Sequence, residues 1–374
     1  MQRHALLVAA LVLLLTTADG AWAQSSSVRP PEGASQSAAP PSINILPQDS
    51  SSDIWRQIRR GETGASAMPT PAGGQLIQSE GENWREFRNG AYYDYAVLFL
   101  LGTLALLALF FTIRGRVRIR GGKAGIEIRR FAALERFVHW FTAICFLVLA
   151  LTGLNLIFGR PLLLPLLGKE VFATWSMWGK LTHNSIGFGF MIGVVAMFLL
   201  WVWHNLPHPR DLVWLAKGGG IIGNAHVPST KFNTGQKLIF WAVILGGASL
   251  SVSGFALLRP PYDLGLFAAT FGWINDLFGT DLPTVLDTTQ EMQLNQIWHG
   301  AVGVVMTAII FGHIYIGTIG MEGAFAAMGR GRVDLNWARE HHDLWVERLE
   351  KEGRLSTVPE AAPEVARGVQ APAE

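Results

Sequence analysis

Five long apolar stretches decide what this chain can become: Tyr92 to Ile113, Phe137 to Phe158, Leu181 to Trp203, Leu238 to Leu258 and Gln296 to Met321. Each is long enough to cross a hydrocarbon core of ~30 Å as a helix, and a helix satisfies all of its backbone polar groups within itself. Asp94, near one end of the first stretch, is the one formal charge in all five. A helix buried in a soluble core is normally shorter and keeps a polar face. The expected fold is therefore an all-α integral membrane protein. Composition agrees, with half of the 374 residues hydrophobic and 16% charged, against about a quarter charged in soluble domains.

The flanking segments set the topology. Residues 1–23 carry an early Arg3, an apolar run from Ala5 to Leu15 and then Ala21-Trp22-Ala23, the pattern of a cleaved signal peptide, with a retained anchor as the alternative. Residues 24–91 are rich in Ser, Pro, Gly and Gln without a sustained hydrophobic period, and read as an extended arm outside the cytoplasm. Lys and Arg number eight in 114–136, four in 205–237 and seven after Met321, against three in 159–180 and one in 259–295. The positive-inside rule puts the first set in the cytoplasm. An exported N-terminus followed by five crossings also leaves the C-terminus in the cytoplasm, so two signals give one topology. Residues 326–374 read as a charged cytoplasmic tail.

Whole-chain charge excludes some functions. A formal net charge of +2 does not suggest a nucleic-acid binder or an enzyme of acidic substrates. The lone cysteine, Cys145, excludes an internal disulfide, a CxxC metal site, a CxxCH haem attachment and an iron–sulfur cluster held by this chain alone. Metal chemistry here must use histidine or carboxylate.

Four histidines fall within the apolar spans: His139, His183, His299 and His313. Histidine is costly in lipid and marks a cavity, a proton path or a cofactor. His299 and His313 share the fifth span, fourteen residues apart, which is ~21 Å of rise and only ~40° of azimuth. They face one way at opposite sides of the membrane. His139 opens the second span on the cytoplasmic side and His183 opens the third on the external side. Depth alone therefore pairs His183 with His299 and His139 with His313. Two neutral imidazoles from facing helices are what the iron of a six-coordinate haem b takes as axial ligands, and two pairs make two haems. A proton-relay transporter would add Asp, Glu or Arg at mid-membrane, where this chain has none. His204, His208 and His226 lie at or beyond the end of the third span and read as interfacial, and His341 and His342 as solvent-facing. A haem-free transporter or scaffold is the competing reading from another class.

These residues resemble the cytochrome b, or gamma, subunits of membrane-bound respiratory formate dehydrogenases, within a wider family that includes the cytochromes b of nickel-iron hydrogenases. The matching features are Glu135-Arg136-Phe137-Val138-His139-Trp140, Lys180-Leu181-Thr182-His183-Asn184, Lys231-Phe232-Asn233-Thr234-Gly235-Gln236-Lys237, Ile297-Trp298-His299-Gly300 and Gly312-His313. The tail Asn336-Trp337-Ala338-Arg339-Glu340-His341-His342-Asp343-Leu344-Trp345 also looks like formate dehydrogenase and favours it over the alternative, a hydrogenase or related dehydrogenase anchor. The resemblance implies a four-helix dihaem cytochrome b domain over 129–325, with helices near 137–158, 181–203, 238–258 and 296–321. It implies His139, His183, His299 and His313 as axial ligands of two haems b, and Asn233 and Gly235 as contacts of a quinone, menaquinone or ubiquinone. The implied partners are an iron–sulfur beta subunit and a catalytic alpha subunit containing molybdenum or tungsten, on the periplasmic side of a bacterial inner membrane. The connections 159–180 and 259–295 read either as the docking surface for the iron–sulfur subunit or as solvated loops. From the residues alone, Asn233 also reads as a helix N-cap. The chain departs from the shorter family members in its first ~115 residues, which add the leader, the arm and an extra helix at 92–113 with no histidine.

Overall fold

The computed structural model describes residues 64–65, 75–77, 81–220, 227–258 and 264–359. The expected leader at 1–23, most of the arm at 24–91 and His226 lie outside the described residues. The described part of the arm holds a short antiparallel pair, β1 (Gly64–Ala65) with β2 (Gln75–Ile77), and a helix, α1 (Gly81–Asn89).

Five helices are long and apolar enough to cross a membrane: α2 (Ala91–Arg114), α3 (Ala133–Leu162), α4 (Leu164–Trp201), α6 (Thr234–Leu258) and α8 (Thr288–Tyr315). Between them lie the short helices α5 (Pro209–Ala216) and α7 (Leu266–Phe278). Leu98, Leu106, Leu151, Ile192, Leu199 and Leu245 point outward, as expected when lipid rather than water is the solvent. The chain is an integral membrane protein.

The helices overrun the apolar stretches. The connection expected at 159–180 is almost wholly helical: α3 runs to Leu162, α4 starts at Leu164 after a turn at Leu163, and α4 is kinked at Gly168, where φ is 75°. Hydropathy reports where a helix meets lipid, whereas the helix itself continues for as long as its backbone bonds continue. Local side chains fix the starts. Asp287 caps α8 by accepting from Thr289 N and Gln290 N, while its own N–H donates to Gln290 Oε1, a reciprocal capping box. Buried Glu291 accepts the Phe267 and Ala268 N–H groups at 2.9 and 2.7 Å, which ties α7 to the first turn of α8.

Helix α3 packs on α4, and α6 packs on both α4 and α8. Phe146, Phe190, Val194, Ile244 and Met306 join these four helices in one core. The extra helix α2 lies along α8, where Ala96 and Leu100 meet Phe158, Val304 and Ala308. One end of the bundle carries a folded cap. Its centre is β3 (Ile126–Arg129), flanked antiparallel by β4 (Arg332–Asp334) and β5 (Thr357–Pro359). Around this sheet sit α9 (Ala324–Gly329), α10 (Leu335–His341) and α11 (Asp343–Lys351). Ile128, Val333, Trp337, Ala338, Trp345 and Val346 are buried there.

The membrane bundle is all-helical as expected, and the cap adds a small sheet at its end. One sequence expectation is corrected: residues 326–359 form a packed layer, so His342 does not face solvent. His342, expected in solvent, is 0% exposed, and its Nδ1–H donates to Thr230 O at 2.8 Å. A carbonyl only accepts, so Nε2 carries the lone pair that accepts from Arg130 Nη2 at 3.0 Å. Arg130 is itself buried against Phe131, Trp337 and Trp345. Burial pushes its guanidinium down to about 9, with the Glu135 carboxylate pulling the other way. Burial, with Arg130 beside it, holds the His342 imidazole well below its usual range. A high density of charged residues hid the cap because its charges sit at the rim, while aromatic and β-branched residues carry the packing.

Candidate functional site

The four span histidines meet in the two pairs that their depths require. His183 on α4 faces His299 on α8 with ring centroids 6.2 Å apart, at the end of the bundle away from the cap. His139 on α3 faces His313 on α8 at 6.1 Å, at the cap end. The rings are inclined at 72° and 58°. Two metal–nitrogen bonds of about 2 Å plus two half-rings of roughly 1.1 Å put centroids about 6 Å apart, so each gap is wide enough for one metal centre between the rings. Among the described residues there is no group of three or more His, Cys, Asp or Glu that could hold a metal ion. Two imidazoles hold a bare ion poorly but complete an iron whose other four ligands come from a macrocycle. The donor set fits haem b.

The far-end pair is held by residues that the sequence reading did not single out. Thr152 Oγ1 lies 2.7 Å from Val148 O and 2.8 Å from His183 Nδ1. Ser253 Oγ lies 2.7 Å from Ser249 O and 2.9 Å from His299 Nδ1. A hydroxyl has one hydrogen, and in each case the carbonyl one turn back takes it. The hydroxyl must then accept from the imidazole, so each Nδ1 carries the proton and each Nε2 is left with a bare lone pair. That is the tautomer a metal needs. The next residue in each helix is glycine, and the ring rests on it: a Cβ at Gly153 would lie 3.3 Å from His183 Cε1, and one at Gly254 would lie 3.1 Å from His299 Cε1. The signal that could have found them is a Thr-Gly and a Ser-Gly pair, Thr152-Gly153 and Ser253-Gly254, on the two helices that face the histidines.

The cap-end pair is built differently. His139 Nδ1 is buried without a hydrogen-bond partner, and its ring meets the edge of Trp140 at 5.2 Å. A cavity of 1280 Å³ opens beside it, with His139, His313, Asn233, Gly235 and Gln236 in its wall. This exceeds the usual ~300–1,000 Å³ of one ligand pocket. Asn233 is the N-cap that the residues alone suggested: its Oδ1 accepts from Gln236 N at 3.0 Å, and its N donates to Gln236 Oε1 at 3.1 Å. Trp214 of α5 closes over this turn, its Cη2 3.0 Å from where a Gly235 Cβ would sit. Asp211 fixes α5 there by accepting from Lys237 Nζ and Thr234 Oγ1. His341 is half-buried and, with Glu340, also lines the cavity. His204 and His208 are exposed, as expected.

Comparison with known proteins gives one consistent answer. Curated relatives include the cytochrome b556(Fdn) subunit of the nitrate-inducible formate dehydrogenase of Escherichia coli K12, 29% identical over 227 residues, which are 60% of this chain and 92% of that protein. The cytochrome b556(fdo) subunit of formate dehydrogenase from the same organism is 29% identical over 226 residues, 60% of this chain and 94% of that one. The formate dehydrogenase cytochrome b556 subunit of Haemophilus influenzae is 26% identical over 224 residues, 59% of this chain and 82% of its own. A family model described as prokaryotic cytochrome b561 matches residues 130–331. That span contains all four histidines and begins after the extra helix. The chain belongs to the prokaryotic cytochrome b561 family.

Proposed function

We propose that this chain is the membrane-anchoring cytochrome b subunit of a respiratory formate dehydrogenase, delivering electrons from a periplasmic iron–sulfur subunit to quinone at the cytoplasmic face. The observation that carries the reading is the pair of imidazole gaps, 6.2 and 6.1 Å, on one shared helix. His183 and His299 would hold one haem b, and His139 and His313 the other. When bound, the haems supply one-electron redox chemistry at two depths of the bilayer. The names of the relatives support formate dehydrogenase as the complex, with its iron–sulfur and molybdenum- or tungsten-containing subunits as partners. The excess of Lys and Arg on the cap side supports a cytoplasmic cap, a periplasmic mature N-terminus and a bacterial inner membrane.

Quinone fits the cavity beside His139 and His313. Asn233 Oδ1 is occupied in capping, so its Nδ2H₂ and the free N–H groups of the first turn of α6 are the donors for a quinone carbonyl. Gly235 keeps that turn open under Trp214. His341 and Glu340 line the same cavity and, with the cap in the cytoplasm, would lie on the side from which protons for quinone reduction are taken up.

The test is a dithionite-reduced minus oxidised spectrum of the purified full chain with a pyridine haemochrome count. Two haems b per chain are expected, and folded protein without haem would overturn the reading. Copurification with a formate-oxidising subunit, and reduction of those haems by formate, then tests the partner.

A further inference from the structure

The extra helix α2 lies outside the family match, yet it reaches the far-end site. A Cβ at Gly300 would fall on the Tyr92 hydroxyl, and Gly300 directly follows His299. That hydroxyl is buried and has no hydrogen-bond partner. On the opposite wall Asn155 stands one turn beyond Thr152, the residue that holds His183. Its Oδ1 accepts from Trp175 Nε1 at 3.2 Å, whereas its Nδ2 is buried and unpartnered. Nδ2 lies 3.6 Å from where a Gly179 Cβ would sit, and Gly179 is one turn before His183. Ser176 Oγ, on the same face of α4, is also buried without a partner. Three helices thus carry buried, unpartnered polar groups around the histidine pair: Tyr92 beside the glycine that follows His299, Asn155 one turn beyond Thr152, and Ser176 two turns before His183.

A buried unpaired donor costs roughly 1–3 kcal/mol, and native structures rarely keep several together. An amide Nδ2 can only donate, so the missing partner is an acceptor. Haem b carries two carboxylates, which are strong acceptors. Resting on the haem assignment above, we propose that Tyr92, Asn155 and Ser176 form the carboxylate subsite of the far-end haem, and that the extra helix serves to complete it. Charge-assisted bonds of this kind offset part of the carboxylate charge near the iron. Removing them favours the ferric state and lowers the midpoint potential.

The test uses the purified full chain carrying His313→Ala, so that a single haem remains, and measures its midpoint by optical redox titration. Tyr92→Phe keeps the ring and its packing, and Asn155→Asp keeps the bond from Trp175 while replacing the donor. Both are expected to lower the midpoint, Asn155→Asp by more, while Tyr95→Phe, on the same helix and 68% exposed, leaves it unchanged. An unaltered midpoint in both Tyr92→Phe and Asn155→Asp, each retaining one haem per chain, would overturn the subsite and leave the haem assignment standing. Absence of haem from the parent protein would overturn both.

Discussion

At the far end of the bundle, His183 and His299 each give an Nδ1 proton to a hydroxyl on a neighbouring helix, and each ring rests on the glycine after it. At the cap end, His139 Nδ1 has no partner and the ring is positioned by an aromatic edge. The two gaps between rings differ by only 0.1 Å. What differs is how the ligands are supported and what adjoins them. The far-end pair is pre-oriented, with its tautomer set by hydroxyls on neighbouring helices. The cap-end pair shares its space with a cavity whose other wall carries Asn233, Gly235 and Gln236. A fixed relay suits the first arrangement, and exchange with a mobile ligand suits the second.

Ligand removal is the strongest way to break the comparison. His313→Ala should cut the haem count of the purified chain from two to one and leave the far-end haem. His299→Ala should do the reverse, and the two surviving haems should differ in spectrum. If either change removed both haems from folded protein, the sites would not be separate. Next comes the support itself. Thr152→Val keeps the shape but strands the His183 Nδ1–H, so haem should leave the far end about 10–100-fold more readily, measured by transfer to an apo-globin acceptor. Ser253→Ala should act likewise on His299. The cap-end haem should be retained as in the parent protein, because no hydroxyl holds His139. Trp214→Ala, which uncovers the turn at Gly235, should weaken binding of a quinone analogue several-fold while both haems stay in place; unchanged binding would dissociate that turn from the cavity ligand.

The smallest effect concerns the cap. Folded, His342 is held neutral, whereas unfolded it titrates near 6.5. The unfolded state therefore binds more protons as pH falls through that value, and the cap's stability declines from pH 7 towards pH 5. Hydrogen exchange over 332–351 should accelerate in that window, and the acid sensitivity should be weaker in His342→Gln. Exchange that does not respond to pH would mean that the imidazole is not held neutral.

The histidine pairs were legible because helix geometry turns a spacing of fourteen into a depth and a direction, and an ionisable polar side chain is conspicuous in lipid. Thr152 and Ser253 were not, because their partners lie 31 and 46 residues away and a helix hydroxyl normally bonds only its own preceding turn. The N-cap at Asn233 was readable because Gln236 follows at the spacing that a cap requires. The cap was misread for the opposite reason. Charge density near 330–354 describes its surface, while its order comes from pairing with residues 126–129, and no local pattern reports a strand partner two hundred residues distant.

That pairing also sets an order of construction. β3 is the central strand of the cap sheet and precedes the four histidine-bearing and core helices in the chain, whereas both strands that flank it follow them. A chain made from its N-terminus therefore presents β3 first and cannot close the sheet until every membrane helix has been synthesised. The far-end ligands and their hydroxyls are all in place once α8 is made. The cap-end cavity, with Trp337, Glu340 and His341 in its wall, gains its last wall only when the C-terminal segment folds back. The far end can therefore be complete before the cap end, an order set by the topology of three short strands.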